Sequence, residues 1–229
     1  MGGRSWRPPA RIAAMRTLPT SSRTLMSSAS EPTETETRWN HNLQFHAWIL
    51  RQMPHACESA LDVGCGDGVL TTKLASRSTH ATGIDISPEM IATARREAAR
   101  GNITYVTGDV LSSPLPADGF DFVAVVAAIH HMPLDAALAR FARLMRPGGA
   151  LAVVGLAPNT SPADYAMSAA SVFVSRLFRI MRGWWSSPAL RIEPDMPYSQ
   201  IRSIARRMLP GVVLRRRLFF RYTLLWRKP

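Results

Sequence analysis

Residues 62–68 read Asp62-Val63-Gly64-Cys65-Gly66-Asp67-Gly68, a turn that follows a short β-type run, Ser59 to Val63, and opens a helical segment. From Gly68 to Arg77 the apolar residues Val69, Leu70 and Leu74 recur at helical spacing. Glycines at this junction let the backbone bend sharply and let a ligand approach where a Cβ would push it away. The same alternation continues downstream. His80 to Ile86 is a predicted strand, Pro88 to Arg100 a helix with proline in its first turn, and Ile103 to Val106 and Phe120 to Ala128 two further strands. Leu134 to Met145 then reads as a helix and Ala150 to Gly155 as a fifth strand after the turn Pro147-Gly148-Gly149. Upstream, Asn40 is placed to cap a helix running to about Met53 and stopped by Pro54. A rhythm of this kind calls for an α/β fold, a mostly parallel sheet with helices on both faces joined by right-handed crossovers.

The acids around the turn select its ligand. A glycine-rich turn after a strand also serves dinucleotides, whose glycines are spaced G-x-G-x-x-G, whereas here the spacing is G-x-G-x-G. A pyrophosphate beside Asp62 and Asp67 would meet like charge in a partly desolvated site. S-adenosylmethionine instead presents an ammonium and a sulfonium, which carboxylates attract. Asp85, about twenty residues past the glycines at the end of the second strand, is placed to accept hydrogen bonds from both ribose hydroxyls of an adenosine cofactor. Gly108-Asp109-Val110 ends the third strand, where Asp109 can accept from an adenine amino group.

Composition bounds the rest. With 229 residues and 46% hydrophobic content, the chain suffices for one α/β domain plus tails. The net charge of +12 is uneven. Residues 1–30 carry five arginines and no acid, residues 31–139 seven basic against thirteen acidic, and residues 140–229 sixteen basic against three acidic. The glycine turn, Asp85 and Gly108-Asp109-Val110 all lie in the acidic middle, which is unlike a uniform nucleic-acid-binding surface. Residues 1–36 are expected to be a disordered basic extension, with Met15 and Met26 as alternative starts favoured over a transit peptide, and residues 37–229 the folded domain. Two cysteines and no run of about 18 apolar residues point to a cytoplasmic protein without disulfides or membrane spans.

Taken together, residues 38–155 resemble the class I S-adenosylmethionine-dependent methyltransferases, small-molecule branch. The resemblance implies a Rossmann-like seven-stranded sheet of order 3-2-1-4-5-7-6 with the last strand antiparallel. It implies that Asp62, Gly64, Cys65 and Gly66 hold the methionine part of the cofactor and Asp85 the ribose. Ile86 and Met90 would flank the adenine, with Gly108, Asp109, Val110 and Ala127 completing its surroundings. Phe120-Asp121, Ile129-His130-His131-Met132 and Arg146-Pro147-Gly148-Gly149 share the likeness.

His130 and His131 follow the fourth strand, at the carboxyl edge of the sheet where such folds bind ligands. His130 is the candidate general base, and His131 a structural or cofactor-side residue. Trp39, His41 and His46 are candidates to close over the cofactor. No metal-ligand spacing is present, and a sulfonium needs no metal for in-line transfer.

The expected reaction is methyl transfer to a small, hydrophobic or aromatic acceptor. Two alternatives stand beside it. One is a quinone or lipid acceptor at a membrane surface, from the basic C-terminal half. The other is nucleic acid, disfavoured because Ala-Ala-Ile-His-His stands where base-amino methylation uses an Asn/Asp-Pro-Pro-aromatic tetrapeptide. After Gly155 the strand-helix rhythm breaks. Ala163 to Met181 and Tyr198 to Leu209 read as helices, and Val212 to Leu218 and Phe219 to Trp226 as strands. Residues 161–197 are expected to form a lid whose Tyr165, Phe173, Trp184 and Trp185 cover an apolar acceptor.

Overall fold

The computed structural model describes residues 43–98, 100–160, 194–218 and 220–229. The expected basic extension at 1–36, the candidates Trp39 and His41, the cap Asn40 and residues 161–193 of the expected lid lie outside them.

Alternating apolar runs build one seven-stranded sheet. Its strands are β1 (Ser59–Val63), β2 (His80–Asp85), β3 (Ile103–Thr107), β4 (Phe120–Val126), β5 (Met145–Leu156), β6 (Val213–Arg216) and β7 (Arg221–Arg227), in the order β3-β2-β1-β4-β5-β7-β6. β1 to β5 are parallel, and β7 alone runs against its neighbours β5 and β6. Order and orientation match the sequence expectation. A parallel sheet buries both faces, and the strand interiors accordingly read as continuous apolar runs, with Phe122 to Val125 and Ala150 to Val154 fully buried.

The described helices are α1 (His46–Gln52), α2 (Val69–Ala75), α3 (Pro88–Glu97), α4 (Leu134–Leu144) and α5 (Tyr198–Met208). α4 buries Leu134, Ala137, Leu138, Phe141 and Leu144, the three- and four-residue steps of one helix face. With Ile201, Ala205 and Leu209 this stripe packs on Leu61, Val123, Val153 and Leu224 of the sheet. Burial of each such large side chain contributes about 1.5–3 kcal/mol. On the opposite face Ile49 of α1 and Leu70 and Leu74 of α2 cover Ala60, Phe122, Ala152 and Val154. Ser87 caps α3, its hydroxyl accepting from the Met90 N–H at 3.2 Å, and Pro88 takes the first turn.

Three boundaries differ from expectation. Pro147-Gly148-Gly149 does not precede β5 but lies within it. Gly148 adopts φ 78° and donates its N–H to the Lys228 carbonyl, so the run is an irregularity stitched between β4 and β7. The terminal strands have other bounds than predicted: β6 ends at Arg216 and β7 begins at Arg221, where the Arg217 N–H donates to the Arg221 carbonyl. α1 is preceded by a 3₁₀ turn at Leu43–Phe45.

At the amino edge of the parallel strands, Asp121 accepts the Glu58 and Ser59 N–H groups at 2.9 Å and pairs with Arg146 at 3.0 Å. Phe120-Asp121 and Arg146-Pro147, two of the motifs carrying the family likeness, therefore tie strands together at the end away from the glycine turn.

Candidate active site

The glycine turn sits at the carboxyl edge of β1. Gly64, Gly66 and Gly68 adopt φ of 69°, 54° and 80°, a left-handed run open only to glycine without strain. The turn is pinned under its neighbours: the Gly64 and Cys65 N–H groups donate to the Ile84 carbonyl at 2.8 and 3.1 Å. A Cβ on Gly68 would collide with the Tyr105 hydroxyl, and one on Gly83 would lie 2.9 Å from its ring. Tyr105 of β3 is thus a buttress beneath the turn. Sequence reading missed it, since the only signal is two glycines, Gly68 of the turn and Gly83 of β2, leaving room for one ring.

Three carboxylates converge here. Asp62 is fully buried and accepts the Thr71 hydroxyl at 2.7 Å. Burial raises its pKa to about 7, the Thr71 hydrogen bond opposes the rise, and the charges of Asp85 and Asp67 add to it. Asp85 closes the end of β2. Its carboxylate accepts the Gly66 N–H at 2.8 Å and the Ser87 N–H at 2.9 Å, locking the glycine turn to the β2–α3 junction. Cys65 is buried, its thiol pKa pushed up by burial and then by Asp62 and Asp85. It is an inert wall of the turn.

Ile86, immediately beyond Asp85, is 74% exposed, the most exposed large hydrophobic of the described residues, and half-buried Met90 lies one turn along. Gly108 donates its N–H to the Asp85 carbonyl at 2.9 Å. Asp109 is exposed and accepts the Leu111 N–H at 2.9 Å in a local turn, while Val110 is buried in the core. The predicted cofactor set thus gathers along the carboxyl ends of β1, β2 and β3. Clustered negative charge, an open cradle at Gly66 with nothing within 4 Å of where a Cβ would lie, and the bare apolar shelf of Ile86 fit a cationic methionine moiety and an adenosine.

After β4 the backbone bends hard. Ala127 takes φ 54° while its N–H donates to the Val154 carbonyl at 2.8 Å, and the Ala128 side chain fills the space a Cβ on Gly64 would occupy. Left-handed geometry at a non-glycine residue carries about 1–3 kcal/mol of strain, held here by surrounding structure. The bend delivers Ile129–His131 beside the glycine turn. The His130 and His131 rings lie with centroids 4.1 Å apart. His131 is exposed, its pKa lowered by partial burial with the Asp85 charge opposing, so it faces the acidic side.

His130 instead lines a hollow open to solvent, with Ile129, Met132, Leu134, Leu156, Pro194, Asp195, Met196, Ile201 and Tyr222. Pro194 to Met196 are the described end of the segment expected to be a lid. Tyr222 was also missed by sequence reading. It is buried because Gly155 opposite it on β5 has no side chain, and a Cβ there would collide with the Tyr222 ring. His46 does not close over this edge. It is buried with Nδ1 3.5 Å from Lys73 Nζ, and burial followed by the lysine charge lowers its pKa to about 3. Among the described residues no cluster of three potential metal ligands occurs, and no helix is long and apolar enough to cross a membrane.

Comparison with known proteins bears on family and fold. Residues 60–149 match the family model of a methyltransferase domain. An uncharacterized methyltransferase of Mycobacterium tuberculosis is 33% identical over 192 residues, covering 83% of this chain and 98% of that protein. A ubiquinone biosynthesis O-methyltransferase of Xylella fastidiosa is 35% identical over 113 residues, 46% of this chain and 45% of that protein. Among solved structures, an N-methyltransferase from Bradyrhizobium japonicum in complex with S-adenosyl-L-homocysteine superposes with a TM-score of 0.56 at 18% identity, over 82% of this chain and 87% of that one. Fold, carboxylate-lined glycine turn and full-length relatives converge: the chain belongs to the class I S-adenosylmethionine-dependent methyltransferases.

Proposed function

We propose that the chain methylates a small, hydrophobic or aromatic molecule, with His130 as the general base. The single observation carrying this reading is the largely apolar, solvent-open hollow at the carboxyl edge of the sheet, lined by His130 together with Ile129, Met132, Leu156 and Tyr222. Its position is where open α/β sheets bind ligands, and its apolar lining suits an apolar acceptor.

Each residue has a role in this reading. Asp62, Gly64, Cys65 and Gly66 cradle the methionine end. Asp85 receives the ribose hydroxyls on the carboxylate lone pairs that the Gly66 and Ser87 N–H groups leave available. Ile86 and Met90 flank the adenine, with Gly108, Asp109, Val110 and Ala127 along its edge. S-adenosylmethionine brings a methyl group already activated on sulfur. The protein therefore has only to align, to exclude water and to take up one proton, and His130 on the pocket wall suits that last task near neutral pH.

A second reading, an acceptor drawn from a membrane such as a quinone or lipid, is favoured by the likeness to ubiquinone biosynthesis O-methyltransferases. The test is a panel of phenols, hydroquinones, aliphatic amines, carboxylic acids and bulk RNA, incubated with enzyme and S-adenosylmethionine. Turnover to S-adenosylhomocysteine with apolar aromatic acceptors, lost in His130→Ala, is the expected result. Methyl incorporation into RNA alone would overturn it.

A further inference from the structure

Among the described residues four large hydrophobics are exposed, Ile86, Val213, Leu218 and Phe220. Ile86 belongs to the cofactor edge. Leu218 and Phe220, 37% and 44% exposed, sit together on the turn between β6 and β7. The Phe220 backbone is held at φ 58°, a conformation unfavourable for a bulky aromatic, and its carbonyl accepts the Ala157 N–H at 2.9 Å just beyond β5. The turn is further fastened by the Arg216 guanidinium on the Ala157 and Pro158 carbonyls at 3.3 and 3.1 Å, and by Arg217 on the Thr223 hydroxyl at 3.2 Å. An exposed aromatic kept in strained backbone on a well-anchored turn is a feature with a use.

Charge identifies the partner. Residues 197–229 contain nine arginines and lysines and no acid. Arg215 next to the turn is exposed, as are Arg202, Arg206 and Arg207 on α5, and Arg216 brings the two elements together by lying 5.4 Å from the centroid of the Tyr198 ring. Apolar side chains at a tip whose flanking strand and helix carry exposed arginines are the composition that enters the headgroup region of an anionic bilayer, the arginines meeting lipid phosphates as the apolar groups reach the acyl boundary. Position gives the purpose. Arg221 pairs with Leu156 and Tyr222 with Gly155, so the turn projects from the same edge of the sheet at which Leu156 and Tyr222 line the acceptor pocket.

We infer that the β6–β7 turn, with Leu218, Phe220 and the surrounding arginines, docks the enzyme on an anionic lipid surface with its acceptor pocket facing the bilayer. The inference deepens the membrane-acceptor reading, on which it rests for its purpose and not for its test, because vesicle capture is measured without any acceptor. An inactive panel would sink the acceptor reading and leave the docking measurement standing.

The experiment is flotation of the full chain with vesicles of phosphatidylcholine alone and vesicles enriched in phosphatidylglycerol, beside the double variant Leu218→Ser, Phe220→Asn. Asparagine tolerates left-handed backbone, so the variant keeps the turn. Capture at least about tenfold greater on the anionic vesicles, weakened by salt, is expected for the parent chain. The double variant should lose about tenfold of that capture while binding S-adenosylhomocysteine with unchanged affinity by calorimetry. Equal capture on both vesicles, or equal capture of parent and variant, overturns the proposal. So does RNA that binds both chains alike and strips the parent from vesicles, which would make the arginines a polyanion site. Sedimentation equilibrium showing a parent dimer that the double variant abolishes would also overturn it, with a second copy covering the turn.

Discussion

The two ends of the ligand-binding edge are built differently. Around β1 to β3 the site is acidic and made of backbone, with glycines and three aspartates drawn from one stretch, residues 62–85. Around β5 to β7 it is largely apolar and aromatic, assembled from scattered stretches of the chain: Ile129 to Leu134, Leu156, Pro194 to Met196, Ile201 and Tyr222. In the proposed reading the first end takes the cofactor, whose chemistry is fixed, and the second the acceptor. A cofactor common to a family can be met by backbone geometry, which tolerates much sequence change, whereas an acceptor is selected by side chains.

The largest expected effect separates the two ends. His130→Ala should lower kcat by about 10²–10⁴ and leave S-adenosylmethionine affinity nearly unchanged in calorimetry. A loss below about tenfold would make His130 a pocket wall only. The converse test is Asp85→Ala. Losing an acceptor for charged hydrogen bonds costs about 1.5–3 kcal/mol, so cofactor affinity should fall roughly tenfold or more. Melting should also occur at lower temperature, because the Gly66 and Ser87 N–H groups lose their acceptor. Unchanged affinity in a folded variant would remove Asp85 from the cofactor site.

Gly155→Ala probes the acceptor end alone. The new methyl meets the Tyr222 ring, and forced repacking of this kind costs about 1–3 kcal/mol. Stability by denaturant titration should fall by that amount and KM for the acceptor should rise, with cofactor affinity intact. A fall in cofactor affinity instead would show that the two ends are not independent.

The smallest effect concerns Asp62. Its folded pKa of about 7 stands above the ordinary 3.8, so the folded chain holds more protons than the unfolded chain between those values and apo stability declines as pH rises through that window. Asp62→Asn keeps an oxygen for the Thr71 hydroxyl and removes the titration. The variant should match the parent near pH 4 and exceed it by up to a few kcal/mol above pH 7 in thermal melts, while binding S-adenosylmethionine more weakly there. A variant less stable than the parent at pH 8 would refute a buried, electrostatically unfavourable carboxylate.

Legibility in the sequence follows the same divide. The glycine turn, Asp85 and the capped start of α3 were readable because each is a local requirement: a left-handed turn, a strand-end acid, a Ser-Pro helix entry. Sheet order came with the family likeness and not with periodicity, since strand pairing is a long-range choice. Tyr105 and Tyr222 were invisible, because each owes its place to side chains missing elsewhere in the chain, at Gly68 and Gly83 for one and at Gly155 for the other. The Pro147-Gly148-Gly149 turn was misread since its punctuation is that of a loop, while hydrogen bonds to Lys228 keep it within β5.

β7 lies between β5 and β6, although the ribosome makes it after both. Until Arg221–Arg227 emerge, the β5 edge, apolar along Ala150 to Val154, has no strand to accept its backbone groups, and β6 has no sheet to join. Synthesis thus passes through a stage in which a nearly complete sheet carries an open apolar border, the state in which nascent chains pair with one another. Arg215, Arg216 and Arg217 emerge just ahead of β7, a run of like charge of the kind that discourages such pairing.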